Sequence, residues 1–80
     1  MAIKDAVVAR FQKICAEKQI KFNELATRSG VTPSTVYSMM DSSRRDISIV
    51  TIKKLCDGLD MTLGEFFGTP EFDALEQEIQ

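Results

Sequence analysis

The chain has 80 residues, 44% of them hydrophobic and 28% charged, with two cysteines, no histidine and a net charge of −2. This length allows one small domain, and the apolar fraction is typical of a folded chain rather than a disordered one. No apolar run approaches the ~20 residues of a membrane span, and the first residues lack the apolar stretch of a secretory signal. The composition predicts a soluble, cytoplasmic domain without a membrane partner.

The missing residue types argue against catalysis and metal binding. Without histidine there is no Ser-His or Cys-His nucleophilic pair, and two cysteines cannot supply the four ligands of a structural zinc site. The glycines are isolated and form no phosphate-binding loop. We therefore expect no enzyme activity, cofactor, metal or small-molecule ligand, and we expect Cys15 and Cys56 to be reduced core residues.

The first half of the chain carries a helical pattern of apolar residues. Val7, Phe11 and Ile14 lie at i, i+4 and i+7, which predicts an amphipathic helix over residues 4–18. A second helix is predicted over residues 22–29 and a third over residues 33–40.

The junction between the second and third helices carries specific end signals. Gly30 is expected to end the second helix, since glycine enters the left-handed conformation without strain. Thr32 is expected to cap the third helix, and Pro33 suits its first position because the missing N–H would be unpaired there anyway. Two short helices joined by a tight glycine turn are typical of a helix-turn-helix.

The second half of the chain continues the helical pattern. Residues 41–46 predict a polar loop, and Ser48 is expected to cap a fourth helix that ends near Asp60. The predicted buried stripe of that helix is Ile49, Ile52, Leu55, Cys56 and Leu59. Thr62 to Glu65 has the spacing of a capping box and predicts a short fifth helix, while Thr69-Pro70 predicts the cap and start of a sixth. No segment alternates like a strand, so the fold class is all-α.

The charge is unevenly distributed along the chain. Residues 1–54 hold ten basic and five acidic residues, a net charge of +5, whereas residues 55–80 hold seven acidic residues and no basic one. This split suggests a basic working face and an acidic end kept away from it. The alternative is two solvated surfaces of opposite sign.

An ordered set of residues within positions 6–68 carries a family resemblance. Its members are Phe11, Ile14, Glu24-Leu25-Ala26, Gly30-Val31-Thr32, Val36-Tyr37-Ser38, Thr51-Ile52, Leu55-Cys56, Leu59, Met61-Thr62-Leu63 and Glu65-Phe66-Phe67. In these positions the chain resembles the Cro/C1-type (XRE-like) helix-turn-helix domains of bacterial and phage repressors. The resemblance implies a five-helix lambda-repressor-like DNA-binding domain over residues 1–68, followed by an acidic C-terminal helix or tail over residues 69–80.

The resemblance also implies which residues meet double-stranded DNA. The third helix would lie in the major groove, with Pro33, Ser34, Tyr37 and Ser38 at base edges. Serine discriminates poorly between bases, so more of the specificity is expected from Tyr37 and from DNA shape. The alternative is that the two serines are merely solvated and that Tyr37 is partly core.

Phosphate contacts are expected on both sides of the third helix. Lys21 opens the second helix, whose N-terminus attracts anions, and the loop after the third helix offers hydroxyls and guanidiniums for backbone positioning. The expected phosphate-contacting residues are Lys21, Thr32, Ser42, Ser43, Arg44 and Arg45. The alternative for the loop is a solvated segment.

Three features depart from the family pattern. Phe22 replaces a common phosphate-binding glutamine, and Lys21 replaces a usual threonine N-cap. Cys15 and Met40 stand where some members carry a linked arginine and glutamate. Because replacing a buried ion pair as a whole is often neutral, we predict that Cys15 and Met40 touch in the core.

These observations predict a sequence-specific, non-enzymatic transcriptional regulator, a repressor acting by operator occupancy. The alternative is an antitoxin or adaptor-type protein-interaction module with the same fold. A homodimer is predicted through Phe72, Leu75 and Ile79, which share a face at i, i+3 and i+7. The alternative is that this last helix folds back on its own core.

Overall fold

Helices account for all the regular structure in residues 3–41, 43–44 and 46–75, the part of the chain that the computed structural model describes. In chain order they are α1 (Ile3–Lys18), α2 (Phe22–Ser29), α3 (Pro33–Met40), α4 (Ile49–Gly58), α5 (Leu63–Phe67) and α6 (Pro70–Asp73). The predicted all-α fold class is confirmed, and the possible sixth helix is present as a single turn.

The helix ends form as their end residues predict. Gly30 has a φ of 70° and its N–H donates to the last carbonyls of α2. The Thr32 hydroxyl accepts from the N–H of Thr35, and the Ser48 hydroxyl accepts from the N–H of Val50. Thr62 and Glu65 form both bonds of a capping box. Local end signals therefore determine where these helices begin and end.

The core lies where α1, α2, α4 and α5 meet, with α3 packed on α2. Phe11 of α1 and Phe66 of α5 are fully buried, and their ring centroids are 4.4 Å apart. Other fully or nearly fully buried side chains are Val7, Leu25, Val36, Leu55, Cys56 and Leu59. Each helix from α1 to α5 thus contributes to one hydrophobic cluster.

Both cysteines are buried and unbonded to one another, as predicted. Burial raises the pKa of the Cys15 thiol and raises that of Cys56 to about 11. Both thiols are therefore protonated at neutral pH and act as small apolar core groups. Met40 packs against the same core as Cys15, so neither side chain lies in solvent. The direct contact between the two stays a prediction.

Two expectations about helix starts are wrong. Ile49 was expected in the buried stripe of α4 but is 59% exposed, as is Val50. Ser48 is exposed as well, so residues 48–50 extend past the core. The position of Ile49 on the apolar stripe therefore does not bury it. Thr69 precedes α6 but accepts no capping bond, although Pro70 does occupy the first helical position.

A glycine allows α2 and α4 to approach closely. A Cβ atom built on Gly58 would lie 2.2 Å from Ser29 Oγ and 3.0 Å from the Ser29 nitrogen. Real Cβ atoms do not approach other atoms so closely. The absence of a side chain at Gly58 therefore sets how tightly the helix-turn-helix seats on the rest of the domain.

Candidate nucleic-acid interface

Helix α3 has a buried face and an exposed face. Val36 and Met39 point into the core, whereas Pro33, Ser34 and Tyr37 are exposed, and Ser38 is half-buried. The last three lie at i, i+3 and i+4, so they share one side of the helix. Tyr37 is 54% exposed, so it is a surface residue rather than a core residue.

Hydroxyl groups organise the N-terminus of α3. Thr32 Oγ1 accepts from the Thr35 N–H and lies 3.0 Å from Ser34 Oγ and 2.9 Å from Thr35 Oγ1. The Ser34 hydroxyl is thus oriented by the cap of its own helix. Thr32 acts as that cap, and its phosphate contact stays a prediction.

The N-terminus of α2 lies beside the middle of α3. Lys21 is exposed with extended backbone, and its side chain caps none of the first N–H groups of α2. The next residue, Phe22, meets Tyr37 edge-on, with ring centroids 6.2 Å apart. A helix N-terminus carries partial positive charge, so this end of α2 places a lysine and uncapped N–H groups next to the exposed face of α3.

A structured turn follows α3 on its other side. The Asp41 carboxylate accepts from the Ser43 N–H at 2.9 Å and from Ser43 Oγ at 2.8 Å. These bonds, the backbone one first, lower the pKa of Asp41 below its ordinary value. The backbone N–H of Arg44 donates to the backbone oxygen of Asp41. The Arg44 side chain is exposed. Ser42 and Arg45 lie outside the described residues.

The turn after α3 and the exposed face of α3 border the same shallow depression. Ser38 and Arg44 both line a cavity of about 190 Å³, together with Asp46 and Ser48. The arrangement brings one predicted base-reading residue next to one predicted phosphate-contacting residue.

Sequence reasoning missed Lys4 as part of this site. Lys4 is buried, at 4% exposure, and its Nζ donates to the backbone oxygen of Asp41 at 2.6 Å. Lys4 stands at i relative to Val7 at i+3 and Phe11 at i+7, so it lies on the apolar stripe of α1. That position is the signal that could have marked it as buried rather than as part of a solvated basic face.

Several other basic side chains bond to groups of their own chain. Arg10 donates to the Phe66 and Glu65 oxygens at 3.0 and 3.2 Å and lies over the Phe66 ring. Arg28 pairs with Glu24 at 2.6 Å, and Lys53 pairs with Asp57. Within the described residues, the cations whose side chains make no such bond are Lys13, Lys18, Lys21, Arg44 and Lys54. Of these, Lys21 and Arg44 flank α3.

The predicted dimer residues lie at the end of the described chain. Phe72 is half-buried, and its ring centroid is 5.9 Å from that of Phe66 and 5.0 Å from that of Phe67. Leu75 is half-buried, and Ile79 lies outside the described residues. Phe72 therefore packs within its own chain. The contact between two chains stays a prediction, as does the boundary between residues 68 and 69.

Neither a metal-binding cluster nor a membrane-spanning helix is found in the described part of the chain. Among residues 3–41, 43–44 and 46–75, no group of three or more metal-binding side chains comes together. In the same residues no helix is long and apolar enough to cross a bilayer.

Comparisons with known proteins agree with this geometry. The family model of the Cro/C1-type HTH DNA-binding domain matches residues 10–71. Among solved structures, the crystal structure of the prophage Lp1 protein 11 matches with a TM-score of 0.82 and 25% sequence identity, over 94% of this chain and 100% of that one. The comparison with curated proteins gave no significant match. The predicted lambda-repressor-like fold is thereby confirmed.

Proposed function

Because the chain belongs to the Cro/C1-type helix-turn-helix DNA-binding domain family, we propose that it regulates transcription by binding a specific double-stranded DNA sequence. In this proposal α3 lies in the major groove and α2 lies against the backbone. The observation that carries it is the exposed face of α3, formed by Ser34, Tyr37 and Ser38, with Lys21 on one side and Arg44 on the other.

The two kinds of contact have different roles in this proposal. Lys21, Ser43 and Arg44 hold phosphates and fix the register of the domain on the duplex, together with Thr32, Ser42 and Arg45. Pro33, Ser34, Tyr37 and Ser38 meet base edges. A serine hydroxyl can donate a hydrogen bond to several bases or accept one from them. Tyr37 and the shape of the DNA therefore carry more of the discrimination between sequences.

The regulatory action proposed is repression by operator occupancy. One helix-turn-helix covers a half-site, and a two-fold dimer would place two recognition helices one DNA turn, about 34 Å, apart. We propose that Leu75 and Ile79 form the contact between two chains, with Phe72 holding α6 on its own core. Sedimentation of the full chain at micromolar concentration should give a dimer, and Leu75→Glu with Ile79→Glu should give a folded monomer. A monomeric wild type, with and without DNA, would contradict the dimer.

A protein-interaction module is the second candidate. Two observations favour it: the net charge of −2 and the exposed apolar pair Ile49 and Val50 at the start of α4, since exposed apolar surface suits protein contacts. An antitoxin or adaptor of this kind would need no affinity for duplex DNA.

Selection from a random duplex library, followed by sequencing, tests the proposal. The wild type should enrich one motif, as two half-sites related by inversion. The variant Ser34→Ala with Tyr37→Ala should still bind at low salt but enrich the motif much more weakly, because two of the base contacts are removed and the phosphate contacts remain. Transcription from a promoter that overlaps the enriched site should fall when the protein is added. Enrichment by the variant as strong as that of the wild type would contradict the assignment of α3.

A further inference from the structure

A partly buried ring contacts an exposed ring on the candidate DNA-binding face. Phe22 is partly buried and packed against the core, whereas Tyr37 is 54% exposed. Their ring centroids are 6.2 Å apart and their planes meet at 79°. This is the edge-to-face arrangement that aromatic pairs prefer. Phe22 therefore restricts the positions that the Tyr37 ring can take.

The identity of residue 22 excludes another role at the same place. A phenylalanine side chain has no polar atom, so it cannot bind the phosphate that a glutamine would bind there. Lys21 and the uncapped N–H groups of α2 remain next to it for that purpose. Besides packing against the core, the side chain of Phe22 can act through its contact with Tyr37.

We propose that Phe22 is a positioning residue that holds the Tyr37 ring against the C5-methyl group of a thymine in the major groove. This inference rests on the proposed function. Among the described side chains on the exposed face of α3, Tyr37 is the one with a large aromatic ring, beside Ser34 and Ser38. The thymine methyl is the apolar group that base pairs present in the major groove. A ring already held in place loses less conformational freedom on binding.

The proposal separates selectivity from general affinity. Phosphate contacts by Lys21 and Arg44 do not involve the Phe22 ring, so binding to random duplexes should not depend on it. Discrimination between thymine and a base without the methyl group should depend on it. A merely structural role for Phe22 would instead weaken binding to every duplex to the same degree.

The test measures affinity for the duplex enriched from a random library and for versions of it in which each thymine in turn is replaced by deoxyuridine, which lacks the methyl group. The wild type should lose about fivefold in affinity at one such substitution. Phe22→Leu should bind the thymine duplex about fivefold more weakly than the wild type does. Its affinity should fall little further on the deoxyuridine duplex, because the variant no longer makes the methyl contact. Phe22→Tyr keeps a ring edge and should retain wild-type discrimination.

Two further variants and a random duplex provide the controls. Phe67→Leu removes another partly buried ring, in α5 and away from α3, and should leave the discrimination unchanged. Tyr37→Ala should behave like Phe22→Leu on the thymine and deoxyuridine duplexes. Phe22→Leu should bind a random duplex at low salt within about twofold of the wild type. Full thymine discrimination by Phe22→Leu, or equal losses on all duplexes, would overturn the inference alone. A wild type that binds no duplex at low salt would overturn the proposed function as well.

Discussion

The Nζ atom of Lys4 donates a hydrogen bond of 2.6 Å to the backbone oxygen of Asp41. This bond joins the start of α1 to the residue that ends α3, across 37 positions of sequence. Asp41 also holds Ser43 through its carboxylate. The buried lysine therefore fixes the point from which the candidate phosphate-binding turn departs.

Replacing this lysine should loosen the turn. Lys4→Met keeps the apolar stem and removes the ammonium group, so the free energy of unfolding should fall by about 1.5–3 kcal/mol, the range for a hydrogen bond to a charged group. Urea unfolding measures the change. Lys18→Met, at the exposed end of the same helix, should have little effect. Equal stabilities for Lys4→Met and the wild type would show that the bond contributes nothing.

Gly58→Ala should destabilise the domain by about 1–3 kcal/mol, because its Cβ atom must push α2 away from α4. Gly64→Ala is the matched control. There the nearest atom would be Thr62 Oγ1 at an ordinary 3.8 Å, and alanine favours the helix, so the domain should be unchanged or more stable by up to about 1 kcal/mol. Thermal unfolding of both variants checks this. A Gly58→Ala variant as stable as Gly64→Ala would mean that the helices can separate without cost.

Helix bounds were predictable from the sequence, whereas the extent of the core was not. The bounds of α2 and α3 follow from Gly30, Thr32 and Pro33, because their end signals act within one turn and need no tertiary context. Ile49 was misassigned because helical spacing gives the direction of a side chain but not how far the core extends along the helix.

Burial of polar groups was the harder property to predict. The carbonyl partners of Lys4 and Arg10 lie 37 and 56 positions away, and no local pattern indicates such bonds. The charge distribution along the sequence instead predicted that both residues belong to a basic face. The position of Lys4 on the apolar stripe of α1 is a usable signal, because a lysine there is either buried with a partner or interrupts the core.

The capping box of α5 should make stability depend on pH. The Thr62 N–H donates to Glu65 Oε1 at 2.9 Å, and this bond, followed by that from the Thr62 side chain, lowers the pKa of Glu65 in the folded state. The stabilisation is therefore present above the ordinary glutamate pKa of about 4.3 and is lost as the pH falls through the lower folded value.

Glu65→Gln keeps an acceptor for Thr62 but cannot ionise. Its unfolding free energy should fall less than that of the wild type between about pH 5 and pH 3. Urea unfolding across that range measures the slope. Glu17→Gln removes an exposed carboxylate without such bonds and controls for the loss of one negative charge. A Glu65→Gln curve that coincides with the wild type would contradict a role for the ionised carboxylate.

The two arginines after α3 should contribute phosphate contacts without contributing to folding. Arg44→Ala with Arg45→Ala should weaken binding to all duplexes about equally and reduce the salt slope by ~1–2. Lys13→Ala with Lys18→Ala removes the same charge from α1. Lys13 faces α6, and Lys18 lies beside the start of α5. This control should leave the slope nearly unchanged, and equal effects of the two double variants would show that only net charge matters.

Titration of a random duplex with the wild-type protein at increasing salt tests DNA binding most directly. Three phosphate-binding cations, Lys21, Arg44 and Arg45, predict a slope of about −3 for the logarithm of the binding constant against the logarithm of salt concentration. Binding should therefore be clear at low salt and lost at moderate salt. No binding at the lowest salt, or binding that does not change with salt, would contradict the account and favour the protein-interaction module.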